Sequence, residues 1–434
     1  VTVPVQHGDS GDERLTRTPA FWVVLVLLAA GGIRIAMIGG RYFAAYPTAT
    51  LTATVLFALL AVPFWLFLAD LDFLEPEPVT IRVLALAWGG LVATAASIPG
   101  SSALEDLIAK LGSPRLAADW GTVLAGPTVE EIAKTLGIVA IVLIARAQIN
   151  SALDGVVYGA MVGLGFQIVE DIVFALGAVA LAGRGDSVQP VIATFLLRGF
   201  LSGVWSHTLF GALAGAGIGY LVVRRDKTRA VRTGVALLAV FGAWCSHVLW
   251  NAPLFGDDLG NGGLALLAVL VVKALPPLLL ILLLVRVAHD KQADFYTAQL
   301  AGLGDPELIT ERELAVLRSG PRRAEVRRHA RIRAGHKGQA AVRRLQRAQA
   351  RLAVELSRAR NSESPPGQSA AERPVARWCA VVREQRAILA DLGVEEAVVP
   401  ADGQGAWRRR AESVLAVAVG IAVLWVALSA LGGA

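Results

Sequence analysis

The chain has 434 residues, of which 55% are hydrophobic and only 18% charged, with a formal charge of +6. A soluble globular protein carries about a quarter charged residues, so that class is excluded, and the apolar excess gathers in runs of about 20 residues that are long enough to cross a bilayer. The two cysteines, Cys245 in an apolar run and Cys379 in a charged tail, exclude a disulfide framework and a cysteine zinc site.

Residues 1–20 are polar. The apolar run from Phe21 to Gly40 exceeds signal-peptide length and predicts an uncleaved first span. Further spans are predicted near 48–69, 80–98, 127–146, 153–181, 199–223, 231–252 and 263–287. The fold class is therefore all-α: a polytopic helical membrane bundle of eight spans over residues 21–287. A ninth, C-terminal span is predicted at 412–434. Between the third and fourth spans, "SSALEDLIAKLGS" sets Leu104, Leu107, Ile108 and Leu111 at helical spacing, which predicts a short interfacial helix. Lys and Arg stay cytoplasmic. The basic loop "RRDKTRAVR" (224–232), the lysine- and arginine-free loop "FGDDLGNGG" and the basic segment after span eight agree on one orientation. It puts the N-terminus and residues 288–411 inside, in the cytoplasmic membrane of a bacterium to judge by the Ala-, Arg- and Gly-rich usage. Within 288–411, the stretch from Arg322 to Arg360 is rich in helix formers and predicts a solvated helix or helical hairpin. Contact with anionic lipid headgroups is its second reading. Nucleic-acid binding is not expected, because hardly any aromatic residues interleave with the arginines. Residues 361–374 read as a flexible linker, and a second helix follows near 375–392.

Polar groups in hydrocarbon cost several kcal/mol unless paired, so ionisable residues inside spans mark function. Span four holds Glu130, Glu131 and Lys134 in "GPTVEEIAKTLGIVA", span five Glu170, span six His207, and span seven His247 and Asn251. Each has a plainer reading: "TVEE" matches a capping box with Thr128 at the N-cap, and a membrane histidine can simply bridge helices. Depth argues for a shared site. At a rise of about 1.5 Å per residue, Glu130 and Glu131 lie roughly 5 Å from the predicted end of span four, and His207 roughly 12 Å from that of span six. The acids and histidines of four spans then share one layer in the outer half of the membrane. Gly155, Gly159 and Gly163 in span five, and Gly211, Gly215 and Gly219 after His207, form small-residue ridges that let helices approach closely. Arg198 opens span six and reads either as a snorkelling cation or as a partner for Glu170. Lys273, mid-span eight, must face the bundle or water.

Such a set suits hydrolysis. A glutamate can act as general base for water, and histidine or asparagine can donate to an oxyanion. Alternatively, His207, His247 and a glutamate make a two-histidine, one-carboxylate set of the zinc-hydrolase kind.

The order Glu130-Glu131-x-x-Lys134, Phe166-x-x-x-Glu170, His207 heading a glycine-rich span, then His247-x-x-x-Asn251 resembles the PrsW family of intramembrane metalloproteases, over about residues 80–287. It is similar, too, to the wider group of CAAX-prenyl and bacteriocin-processing proteases. Asp171 stands where the family pattern leads us to expect Asn. The resemblance implies a membrane-anchored protein substrate, such as an anti-sigma factor, cut near the outer face. It implies Glu130 or Glu131 as the water-activating base, Asn251 as oxyanion donor, and Glu170, His207 and His247 as metal ligands or as proton and oxyanion partners. It leaves open both a Zn2+ ion and a glutamate-bound water without a tightly held metal. Two other classes compete: a proton- or cation-coupled transporter, against which no internal repeat or matched pair of broken helices is seen, and a non-catalytic membrane scaffold.

Overall fold

A computed structural model of the chain describes residue 16 and residues 18–71, 77–146, 149–202, 206–252, 263–360 and 365–394. The predicted C-terminal span lies outside them, as does most of the polar N-terminus. Those residues are helical, with no strand among them. In chain order the helices are α1 (Pro19–Ala45), α2 (Pro47–Leu71), α3 (Val79–Leu111), α4 (Pro114–Ala145), α5 (Ala152–Ala182), α6 (Gln189–Thr194, continued as a π-helix over Phe195–Ser202), α7 (Ser206–Val223) and α8 (Arg229–Asn251). There follow α9 (Gly263–Ala301), α10 (Glu311–Leu317), α11 (Gly320–Arg360) and α12 (Pro365–Asp391).

Among the described residues, six helices, α1, α2, α3, α5, α7 and α8, are long and apolar enough to cross a membrane. The predicted fourth span lies in α4, whose composition is interrupted by Glu130, Glu131 and Lys134, and the predicted eighth lies in α9. Two predictions need correcting. The segment "SSALEDLIAKLGS" is no separate interfacial helix but the continuation of α3, which runs unbroken to Leu111 through a π-helical stretch at Trp88–Ala93. Helix α4 starts at Pro114, not near 127: Ser113 caps it by accepting from the Leu116 N–H, and proline is favoured at the first helical position. Thr128 is consequently no N-cap. It sits mid-helix and donates to the Leu124 carbonyl at 2.6 Å. Glu130 therefore lies about 24 Å along the helix from its start, far more than the span ends predicted.

Contacts divide the chain into two compact units, residues 1–256 with 269–289 and residues 257–268 with 290–434. In the first, α5 is the central helix: from Leu153 to Gln167 every residue is buried. It packs antiparallel on α7 through the two predicted glycine ridges. A β-carbon at Gly159 would lie 2.0 Å from the Gly211 carbonyl oxygen, and one at Gly163 would lie 2.1 Å from that of His207. The backbones themselves are in contact, which only glycine permits. The π-helical stretch of α3 meets α5 in the same way, Gly89 against Val162 and Gly165 against Leu86. Helix α4 reverses the usual polarity of a helix. Ile132, Leu136 and Leu143 are exposed, whereas Glu130, Glu131 and Lys134 are buried. In hydrocarbon that is the favourable arrangement, since lipid takes the apolar face.

In the second unit, Thr310 and Glu313 form a capping box at the start of α10. The arginine-rich segment is a hairpin, because Gly335 adopts φ 64° and breaks α11 into two helices. Helix α12 begins at Pro365, so the predicted linker is shorter than 361–374. Prolines at a helix start cost nothing, since their missing N–H groups have no helical acceptor there.

The α5–α7 contact makes a direct prediction. Gly163→Ala should destabilise the protein by about 1–3 kcal/mol through overpacking. Gly177→Ala, on the same helix with nothing within 4 Å, should be neutral or stabilising by up to about 1 kcal/mol. Thermal unfolding of both variants in detergent checks this.

Candidate active site

The seven residues singled out in the sequence come from four helices and face one cavity or the layer directly behind it. Glu130, Glu131 and Lys134 project from α4, Glu170 from α5, His207 from the start of α7 and His247 from α8. Glu130, Glu131, Lys134, His207 and His247 are each at least nine-tenths buried. Asn251 is exposed as the last residue of α8 and lines the cavity, as do Glu130, Glu170, His207 and His247. The cavity has a volume of about 310 Å³.

Glu131 lies behind the cavity wall and is fully engaged at one oxygen. Its Oε1 accepts from Lys134 Nζ at 2.5 Å and from His247 Nδ1 at 2.8 Å. A carboxylate only accepts, so His247 carries its proton on Nδ1 and presents the Nε2 lone pair toward the cavity. There Glu130 Oε2 stands 3.7 Å from it. Lys134 also donates to His207 Nδ1 at 3.1 Å. An ammonium has no lone pair, so His207 carries its proton on Nε2, which lies 2.8 Å from Glu170 Oε2. Arg198 then closes the network as a fork, donating from Nη2 to Glu170 Oε2 at 2.7 Å and from Nε to Asp171 Oδ1 at 2.5 Å.

Of the two readings for Arg198, pairing with Glu170 is the one observed. Its second partner, Asp171, is the residue that departs from the expected Asn; an ionised side chain there gives the guanidinium a second charge to hold. Phe166 and Phe210 pack the histidines. The Phe166 ring lies 5.0 Å from that of His207, and Phe210 stacks on His247 at 5.0 Å. Lys134 Nζ sits 4.7 Å from the Phe166 centroid, where the ring face adds to its stabilisation. Sequence reading did not single out Phe210. The signal was its place three residues after His207, on the same helix face. Lys273 also finds a partner. It donates to the Trp250 carbonyl at 3.0 Å and to that of Ala252, holding the end of α8 beside His247 and Asn251.

Two observations bear on a metal ion. Ligand atoms of Glu130, His207 and His247 all lie within 4.8 Å of one another. Glu130 Oε2 is buried and has no hydrogen-bond partner among the described residues. Among the described residues, Lys134 pairs with Glu131 and Arg198 with Glu170 and Asp171, and neither cation makes an ion pair with Glu130. The donor set, one carboxylate and two imidazoles, is the type that zinc takes. It differs from the expected Glu170, His207 and His247: Glu130 stands in the converging group, while Glu170 serves His207 and Arg198. The hydrogen bond that His247 donates from its outer nitrogen, Nδ1, to Glu131 is the support a metal-bound histidine generally has.

Residues 77–280 match the family model described as PrsW family intramembrane metalloprotease. No curated protein and no solved structure gives a match. The matched segment holds every residue of the network just described, on helices of which several are long and apolar enough to cross a membrane. Over residues 77–280, then, this multi-pass membrane protein carries a domain of the PrsW family of intramembrane metalloproteases, which are membrane endopeptidases.

Proposed function

We propose that the cavity hydrolyses a peptide bond in a membrane-anchored protein, such as an anti-sigma factor, with Glu130 as the residue that takes a proton from the attacking water. The observation that carries this reading is the unpartnered, buried Glu130 Oε2 beside the free Nε2 of His247. Its neighbour Glu131 also has an unpartnered Oε2, but its Oε1 accepts from Lys134 and His247 and it does not line the cavity, which makes it the poorer base in this reading. Glu131 orients His247, and Glu170, held by Arg198, orients His207. Asn251, one turn beyond His247 and on the cavity wall, is the amide donor for the oxyanion. Alternatively, Glu130, His207 and His247 would hold a Zn2+ ion that would polarise the scissile carbonyl and acidify bound water, Glu130 then serving as a ligand in place of the base. His207 would join that set by releasing one of its two hydrogen bonds.

The same reading places the cut near the outer face of a bacterial cytoplasmic membrane, with the N-terminus and residues 288–411 inside. The loop joining α7 to α8 supports this orientation. It holds Arg224, Arg225 and Lys227, Arg229 opens α8, and Arg146 and Arg232 cap the end of α7 through the Val222 and Leu221 carbonyls at 2.8 and 3.2 Å. For residues 288–411, contact with anionic headgroups of the inner leaflet remains the lipid partner we propose.

Three outcomes follow. Glu130→Gln should lower cleavage about 10²–10⁴-fold, the usual worth of a general base, with insertion and thermal stability unchanged; a smaller loss assigns the base elsewhere. Purified wild-type protein should carry one zinc per chain by elemental analysis, and His247→Ala should lose it; equal metal content in both would remove the ion from this site. A cysteine at position 227 should be labelled by an impermeant thiol reagent only after cells are opened; labelling in intact cells would reverse the orientation.

A further inference from the structure

The cavity continues past the catalytic cluster along the hairpin of α3 and α4. Ser97, Ser101 and Glu105 on α3, and Thr122, Gly126 and Glu130 on α4, line it. Each set runs in steps of four, so each forms one stripe on one helix face. The two stripes face each other in a known register. A β-carbon at Gly100 would meet Val129, and one at Gly121 would meet Glu105. Glu105 therefore lies level with position 121, and Glu130 lies nine residues farther along α4, about 13 Å away.

Two side chains on this groove have properties that a packing role does not explain. Ser97 is 5% exposed, and its hydroxyl has no hydrogen-bond partner among the described residues. Such a group costs free energy unless something satisfies it. Glu105 is half-buried at the far end, and no ion pair engages it among the described residues.

We propose that this groove binds the substrate as an extended strand, with Ser97 hydrogen-bonding its backbone beside the scissile bond and Glu105 selecting a Lys or Arg about four residues away. The assignment rests on the hydrolytic reading above and adds a substrate class to it. The distance fits: at about 3.3 Å per residue, four extended residues span the separation of Glu130 and Glu105. The chemistry fits as well. An unwound segment exposes backbone N–H and C=O groups that hydrocarbon cannot satisfy, and the hydroxyls of Ser97, Ser101 and Thr122 offer donors and acceptors along its path. A cation beside a half-buried carboxylate in a partly desolvated groove is worth more than a surface pair, and its loss lowers binding about tenfold or more.

The test uses the full-length protein expressed in bacterial membranes, with new protein termini mapped by mass spectrometry. Wild type, E130Q, E105Q, E105K and S97A are compared. Termini that depend on Glu130 should show Lys or Arg enriched about four residues to one side of the cut. E105Q should lower cleavage of those sites about tenfold and spare sites lacking the cation, and E105K should shift the preference to Asp or Glu. S97A should slow all sites alike, whatever their charge. Glu130-dependent termini with no charge preference, or an unchanged preference in E105K, would overturn the proposal while leaving the protease intact. An absence of any Glu130-dependent terminus would overturn the hydrolytic reading and this one with it. E105Q is isosteric and half-exposed, so its effect does not depend on refolding the core.

Discussion

Ionised side chains cannot remain among apolar helices unless each finds a counter-charge or a hydrogen bond, and the domain is organised around that demand. Among the described residues, Lys134 and Arg198 are the cations that pair with the acids of the site. Lys134 joins Glu131 to His207, and Arg198 joins Glu170 to Asp171. Between them the histidines are held in defined tautomers, because a donor-only ammonium lies on one side of His207 and an acceptor-only carboxylate on one side of His247. Three carboxylate oxygens of the network have no hydrogen-bond partner among the described residues, Oε2 of Glu130, Oε2 of Glu131 and Oδ2 of Asp171, and of these three acids Glu130 is the one that lines the cavity. The pairing that satisfies the buried charges therefore leaves one carboxylate, with no side-chain hydrogen bond, facing the cavity.

Backbone contact puts these groups within reach. Helices separated by ordinary side chains pack about 8–10 Å apart, whereas α5 and α7 touch through glycine, as do α5 and the π-helical stretch of α3. Close approach shortens the distance that Glu170, His207 and Glu130 must bridge. It also makes the arrangement stiff, since no flexible side chain lies between the helices to give way. A preorganised set of donors and acceptors stabilises developing charge without reorganising. The two π-helical stretches, Trp88–Ala93 and Phe195–Ser202, lie next to the site. The first carries Gly89 and Gly90 against α5, and the second carries Arg198 to its acidic partners. Such stretches commonly occur where a helix must re-aim a side chain for function.

Much of this was legible beforehand because the signals are local or periodic. The glycine ridges of spans five and six read directly as close-packing faces. Glu170, His207 and His247 stood out because a charge or imidazole in an apolar run demands an explanation. The start of α4 differs from the predicted one because "TVEE" matches a capping box, whereas Ser113 and Pro114 supply the cap that forms. The interfacial helix was misread for a related reason. An amphipathic pattern reports a helix but not whether that helix joins the one before it, and α3 continues through its π-helical turn without a break.

From the sequence alone came the helical class and the buried ionisable residues inside apolar runs, since each depends on composition, hydropathy or spacing along the chain. The tertiary structure decided which partners those residues have. It gave Glu131 to Lys134 and His247, gave Glu170 to Arg198 and His207, and left Glu130 open. Adjacent glutamates on one helix have almost the same sequence environment. Only the helices packed against each of them determine which carboxylate is neutralised by a neighbour and which still needs a partner.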